Sequence, residues 1–90
     1  MEQLGEYMKV EERPNDPLHG AYQPKTRRWV IRDRHDGVLG WVKWFGRWRQ
    51  YCFYPTTDTV FNNGCLRNII EFLEHANAEH RAGKEAGRGL

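Results

Sequence analysis

Six side chains within one short span combine positive charge with flat aromatic surface: Arg32, Arg34, Trp41, Lys43, Arg47 and Trp48. An aromatic face stacks a nucleobase, and an arginine fork holds phosphate oxygens through paired N–H groups. The same residue types anchor protein interfaces, where Trp and Arg carry much of the binding energy. A purely structural use draws on the same atoms. A cation over an indole contributes about 0.5–1 kcal/mol at an exposed site, and arginine stems cover apolar surface.

Other chemistry has fewer supports. Cys65 falls at the start of an expected helix, where the helix dipole favours a thiolate. No histidine can be set beside it from the sequence, so a catalytic thiol is considered only as a third reading and no catalytic residue is assigned. His75 and His80 are five apart, which puts them on different helix faces and argues against a shared metal. Glu71 and His75 are neighbours one turn apart, an arrangement usual for a solvated pair. No Gly-rich phosphate loop, CxxC pair or triad order occurs, and no cofactor is implied.

The charge distribution agrees with the aromatic one. The chain has 90 residues and a formal net charge of +2. Between Met1 and Asp16, five carboxylates (Glu2, Glu6, Glu11, Glu12, Asp16) face Lys9 and Arg13. Between Arg28 and Tyr54, six cations (Arg28, Arg32, Arg34, Lys43, Arg47, Arg49) face Asp33 and Asp36. The apolar centre of the chain is thus also its basic centre, which suits an anionic partner. The sequence shows no signal-peptide pattern and no run long enough to cross a bilayer. With Cys52 and Cys65 read as free thiols, the expectation is a cytoplasmic protein without a membrane partner.

Positioning these residues requires a sheet. "RRWVIRDRHDGVLGWVKWF" reads as a hairpin turning at Asp36-Gly37. That turn places Arg32 opposite Trp41 and Trp29 opposite Trp44. One face then carries Trp29, Ile31, Val42 and Trp44, and the other carries Val30, Arg32, Arg34, Leu39, Trp41 and Lys43. A second two-residue turn at Gly46-Arg47 adds a strand from Trp48 to Tyr54, ended by Pro55; a three-residue loop there would instead swap the two faces of that strand. Tyr51 and Phe53 join the core face; Trp48, Gln50, Cys52 and Tyr54 join the mixed one. Arg49 is expected at the core side of the sheet's end, and residues 59–61 as a brief edge strand.

A helix follows, capped by Asn62 or Asn63. Its apolar stripe is Leu66, Ile69, Ile70, Leu73, Ala76 and Asn77, widened by Cys65 and Phe72. Arg67, Asn68, Glu71, Glu74, His75 and Glu79 form its expected wet side. The predicted fold is α+β: an antiparallel three- to four-stranded meander with one C-terminal helix on one face. Residues 1–27 read as a polar arm, 28–81 as the single domain and 82–90 as a flexible tail. One helix covers one sheet face, so the other is left for the arm, a second copy of the chain or a ligand.

Residues 38–73 also resemble small bacteriophage and prophage proteins without an established activity. The shared pattern is Trp44-Phe45 followed by Trp48, Arg49, Gln50, Tyr51, Phe53 and Pro55, then a helix with Cys65, Leu66, Ile69, Phe72 and Leu73. The resemblance implies a phage accessory protein and supplies no catalytic residue. The combined expectation is a non-enzymatic protein that binds and blocks a host component. As an anti-defence inhibitor it would act on nucleic acid, a nucleotide signal or a complex handling them. The alternative is an adaptor or inhibitor that binds only protein, as a homodimer or against a host defence protein.

Overall fold

The structure, a computed structural model, describes residues 2–13 and 26–88. Five antiparallel strands form one sheet in sequence order: β1 (Glu2–Leu4), β2 (Met8–Arg13), β3 (Arg28–Asp33), β4 (Val38–Phe45) and β5 (Gln50–Pro55). Helix α1 (Asn63–Arg88) follows. The α+β class is as expected, but the sheet has five strands rather than three or four. The additional pair comes from residues 2–13. Met8 and Val10 are buried there, and Lys9, Glu11 and Arg13 alternate with them toward the other face. Residues 14–25 lie outside the described residues. No strand forms at 59–61, and that stretch leads irregularly into the helix.

Both hairpin registers differ from expectation by two residues. Asp33, not His35, closes the first turn: its N–H donates to the Gly37 carbonyl at 2.8 Å, and the Asp36 N–H donates to the Asp33 carbonyl at 3.0 Å. Asp36 takes the left-handed conformation at φ 68°, the position that ends a three-residue hairpin loop. The Asp33 carboxylate locks the loop by accepting the N–H groups of His35 and Gly37 at 2.8 and 2.9 Å. A register irregularity beside Ile31 and Arg32 then restores even parity, so Trp29 faces Val42 and Val30 faces Trp41. At the other end Gly46–Arg49 form a four-residue turn, and Phe45 pairs with Gln50. An even displacement changes partners and keeps side chains on their faces, but beside the irregularity the displacement is odd: Val38 pairs with Arg32, and Leu39, expected on the mixed face, packs against the core.

The core lies between one sheet face and α1. Met8, Val10, Trp29, Ile31, Val42 and Tyr51 meet Cys65, Ile69 and Ala76. Trp29 stands edge-on to Tyr51 and Phe72, each with ring centroids 5.2 Å away. Gly40 admits the Phe53 ring over β4, since a Cβ there would sit 2.6 Å from that ring. Asn62 caps the helix by accepting the Cys65 N–H at 2.8 Å, a contact contributing about 1 kcal/mol. Asn77 closes part of the sheet's outer edge. Its carboxamide accepts the Tyr51 N–H at 2.7 Å and reaches the Tyr51 carbonyl at 3.5 Å, occupying groups a sixth strand would use.

The helix stripe differs from expectation on both flanks. Leu66 and Ile70 are exposed rather than buried. Asn68, expected in water, lies against Gly5 in the β1–β2 turn, where any Cβ would collide with its carboxamide. The helix is centred on Cys65, Ile69, Phe72 and Ala76, and the β1–β2 turn occupies the space beside it.

Candidate ligand-binding sheet face

The sheet face turned away from α1 is built by alternation on four strands. β2 contributes Lys9, Glu11 and Arg13; β3 contributes Arg28, Val30 and Arg32. β4 contributes Trp41, Lys43 and Phe45; β5 contributes Gln50, Cys52 and Tyr54. Among the described residues, five cations thus share this face with one carboxylate, Glu11, which lies 3.3 Å from the Arg13 guanidinium.

Register arranges them in transverse rows. Arg13 pairs with Arg28, Arg28 with Lys43 and Lys43 with Cys52. Adjacent strands lie about 4.8 Å apart, so the three cations form a band roughly 10 Å long. The next row is Glu11, Val30, Trp41 and Tyr54. Aromatic rings continue from that row to the β4–β5 turn. Phe45 stands edge-on to Tyr54 at 6.4 Å and to Trp48 at 4.9 Å. Trp48 is 64% exposed, far more than a tryptophan used only for packing.

Cations and rings touch along the band. The Arg28 guanidinium lies 5.7 Å from the Trp41 ring centroid, and the Lys43 ammonium lies 4.5 Å from that of Tyr54. This corrects the expected pairing of Arg32 with Trp41, because the register shift brings Arg28 to the indole. Arg32 instead donates to the Asp36 carbonyl at 3.1 Å, at the opposite end of the face. Arg34 sits in the β3–β4 turn with its guanidinium 5.5 Å from the Tyr7 ring centroid. Lys9 at that end is held by Asp36 at 2.7 Å.

Of the six residues singled out from the sequence, Trp41, Lys43, Arg47 and Trp48 therefore gather at one end, with Arg47 in the exposed turn. Arg32 and Arg34 lie at the other. Sequence reasoning missed Arg13, Arg28 and Phe45 as members of the site, and placed Tyr54 on the right face without counting it among the six. Its available signal was the alternation of Lys9, Glu11 and Arg13 around Val10. Arg49 is in the turn at φ 53°, exposed, rather than on the core side.

Several other titratable groups are held by the scaffold. Cys65 is buried in the core, and burial pushes the Cys52 thiol up, so Cys52 is a neutral thiol at physiological pH. The rings of Trp44 and His80 are 4.4 Å apart, and His75 Nε2 lies 2.8 Å from Glu79. Arg27 clasps the helix face: its guanidinium holds Glu12 at 2.6 Å, reaches Glu79 at 3.4 Å and lies 4.8 Å from the Trp29 ring centroid. Its backbone N–H donates to the Tyr51 hydroxyl at 2.9 Å.

Hydrogen bonds from Arg27 hold the Glu12 carboxyl below its usual range. The backbone bonds to Asp33 and the Lys9 contact to Asp36 act in the same direction. A carboxyl lowered on folding contributes stability above its unfolded pKa, and that contribution is lost as pH falls through the folded value. Thermal melts should therefore decline in Tm below about pH 4.5. Glu12→Gln should flatten a small part of that decline, because an exposed ion pair contributes under about 1 kcal/mol. A Tm that rises on acidification over this range would contradict the assignment.

No protein-family model matches this chain, and no solved structure does. Over 44 residues the chain is 30% identical to a protein of Acholeplasma phage L2 described as an uncharacterised 9.3 kDa protein. The match covers 49% of this chain and 56% of that protein, so the chain spans little more than half of its relative's length. The similarity is thus to a small phage protein. Among the described residues, no helix is long and apolar enough to cross a membrane.

Proposed function

We propose that this is a non-enzymatic binding protein whose helix-free sheet face holds single-stranded nucleic acid. The observation that carries this reading is the Arg13–Arg28–Lys43 band lying directly beside Trp41, Tyr54, Phe45 and the exposed Trp48. The band supplies sites for successive phosphates, and the rings supply stacking platforms for bases. A single strand offers both unstacked bases and phosphates, whereas a duplex keeps its bases paired and stacked.

The phage relative and the Trp48-to-Pro55 and Cys65-to-Leu73 pattern support an accessory role. In that role the protein occupies nucleic acid and denies it to host machinery, including defence complexes. A second reading, a protein partner with no nucleic-acid contact, draws on Trp48, whose exposed indole is the form of an interface anchor.

Fluorescence anisotropy with a labelled mixed-sequence oligonucleotide separates the two. Nucleic-acid binding should be tighter for single strands than for duplex. With three phosphates engaged, log K should fall against log salt with a slope of about −2. Absence of binding at low salt, together with a nuclease-resistant host protein recovered by pull-down and lost in Trp48→Ala, would replace the first reading with the second.

A further inference from the structure

Helix α1 carries a second surface that the ligand face does not use. Leu66 and Ile70, one turn apart, are 46% and 53% exposed. Half-buried Leu73 and then Asn77 continue the same stripe with spacings of four, three and four residues. That is the seam spacing of two packed helices. The stripe lies on the flank of α1 that reaches the outer edge of β5, because Asn77 bonds there to Tyr51. Leu73 also packs against the core cluster, whereas Leu66 and Ile70 stand outside it, apart from Cys65, Ile69 and Ala76 that bury the centre of the helix.

Charge identifies the occupant. Arg67 and Glu74 are seven residues apart, both exposed, and lie along one side of the stripe. Among the described residues, neither forms an ion pair within the chain. When two copies of this helix pack antiparallel about a two-fold axis near Ile70, Arg67 of each copy meets Glu74 of the other. A parallel two-fold carries these residues to opposite sides of the seam, so Arg67 and Glu74 of the two copies cannot pair across it. The surface is therefore self-complementary in one orientation only, which is the requirement for a symmetric pair.

We propose that the protein forms an antiparallel homodimer through the Leu66–Ile70–Leu73 stripe of α1, with reciprocal Arg67–Glu74 pairs fixing the register. The proposal rests on the helix alone and does not depend on what the sheet face binds. It leaves that face free in both copies, because the sheet face lies on the side away from α1. A dimer would then present two ligand faces on one particle.

Sedimentation equilibrium on the full chain, from low micromolar to several hundred micromolar, tests this. Expected is a reversible monomer–dimer equilibrium in the unmodified protein. Ile70→Glu should be monomeric throughout, with the same circular dichroism spectrum, since that side chain is not part of the core. Arg67→Glu should weaken the dimer by about tenfold, through two lost pairs and two new repulsions. Arg67→Glu combined with Glu74→Arg should restore it. A monomer at every concentration, or a dimer indifferent to Ile70→Glu, would overturn the interface. Failure of the double reversal to repair Arg67→Glu would overturn the antiparallel pairing.

Discussion

Trp29→Ala should cost about 3–5 kcal/mol and leave little or no cooperative unfolding transition at 37 °C. Trp29 is 7% exposed and joins three elements in one contact set. It projects from β3, meets Tyr51 of β5 and Phe72 of α1 edge-on, and lies under the Arg27 guanidinium. Removing the indole deletes both aromatic contacts and opens a void that flanking strands cannot collapse into. A domain this small has a margin of only about 5–10 kcal/mol, so one such loss takes much of it. Urea denaturation followed by far-ultraviolet circular dichroism reads the effect. A loss under about 1 kcal/mol would show that α1 is not docked on this face.

Arg28→Ala with Lys43→Ala should abolish most single-strand binding, at a cost of about 1–2 kcal/mol in stability from the two lost cation–ring contacts. Both residues lie in the cation band and outside the core cluster. Each phosphate contact on a single strand contributes about 0.7 to the magnitude of the salt slope, so losing two should bring it from about −2 to about −0.7. Affinity at low salt should fall by about tenfold to a hundredfold, at roughly 1 kcal/mol per charged contact. Arg32→Ala with Arg34→Ala is the matched control. These two lie at the far end, engaged with the Asp36 carbonyl and the Tyr7 ring, and should change the slope much less. Equal losses from the two double variants would mean that binding follows net charge rather than the band.

The faces of the sheet were legible from alternation, and they withstood the register errors where the displacement was even; beside the first turn it is odd, and Leu39 turned to the core instead. Trp29, Ile31, Val42, Tyr51 and Phe53 were assigned to the side that α1 covers, and Trp41, Lys43 and Tyr54 to the other. The partners across the strands were not legible. Asp36-Gly37 has the composition of a two-residue turn, but the Asp33 carboxylate binds two backbone N–H groups and draws the loop one residue earlier. Side-chain locking of this kind leaves no trace in residue spacing.

The N-terminal hairpin was missed for a related reason. β2 has only Met8 and Val10 to mark its buried side, and its turn through Gly5 is stabilised by contact with Asn68 of a helix more than sixty residues later. Without β2, Arg13 has no place in the site, and without the register Arg28 is not adjacent to Trp41. The candidate site was therefore read with two cations, Arg32 and Arg34, that the fold sends to the other end. On the helix, the stripe was read as wider than the sheet can cover. That surplus, Leu66 and Ile70, is the surface assigned above to a second copy.

The four tryptophans provide the most direct test of where the ligand sits. Trp29 and Trp44 lie on the helix-covered face, while Trp41 and Trp48 lie on the open face or beside it. In a nitrogen-15-labelled sample each gives one resolvable indole N–H resonance. Titration with an unlabelled single-stranded oligonucleotide should shift Trp41 and Trp48 and leave Trp29 and Trp44 in place. Shifts confined to Trp29 and Trp44, or none at millimolar oligonucleotide, would contradict the assignment of the helix-free face as a nucleic-acid surface.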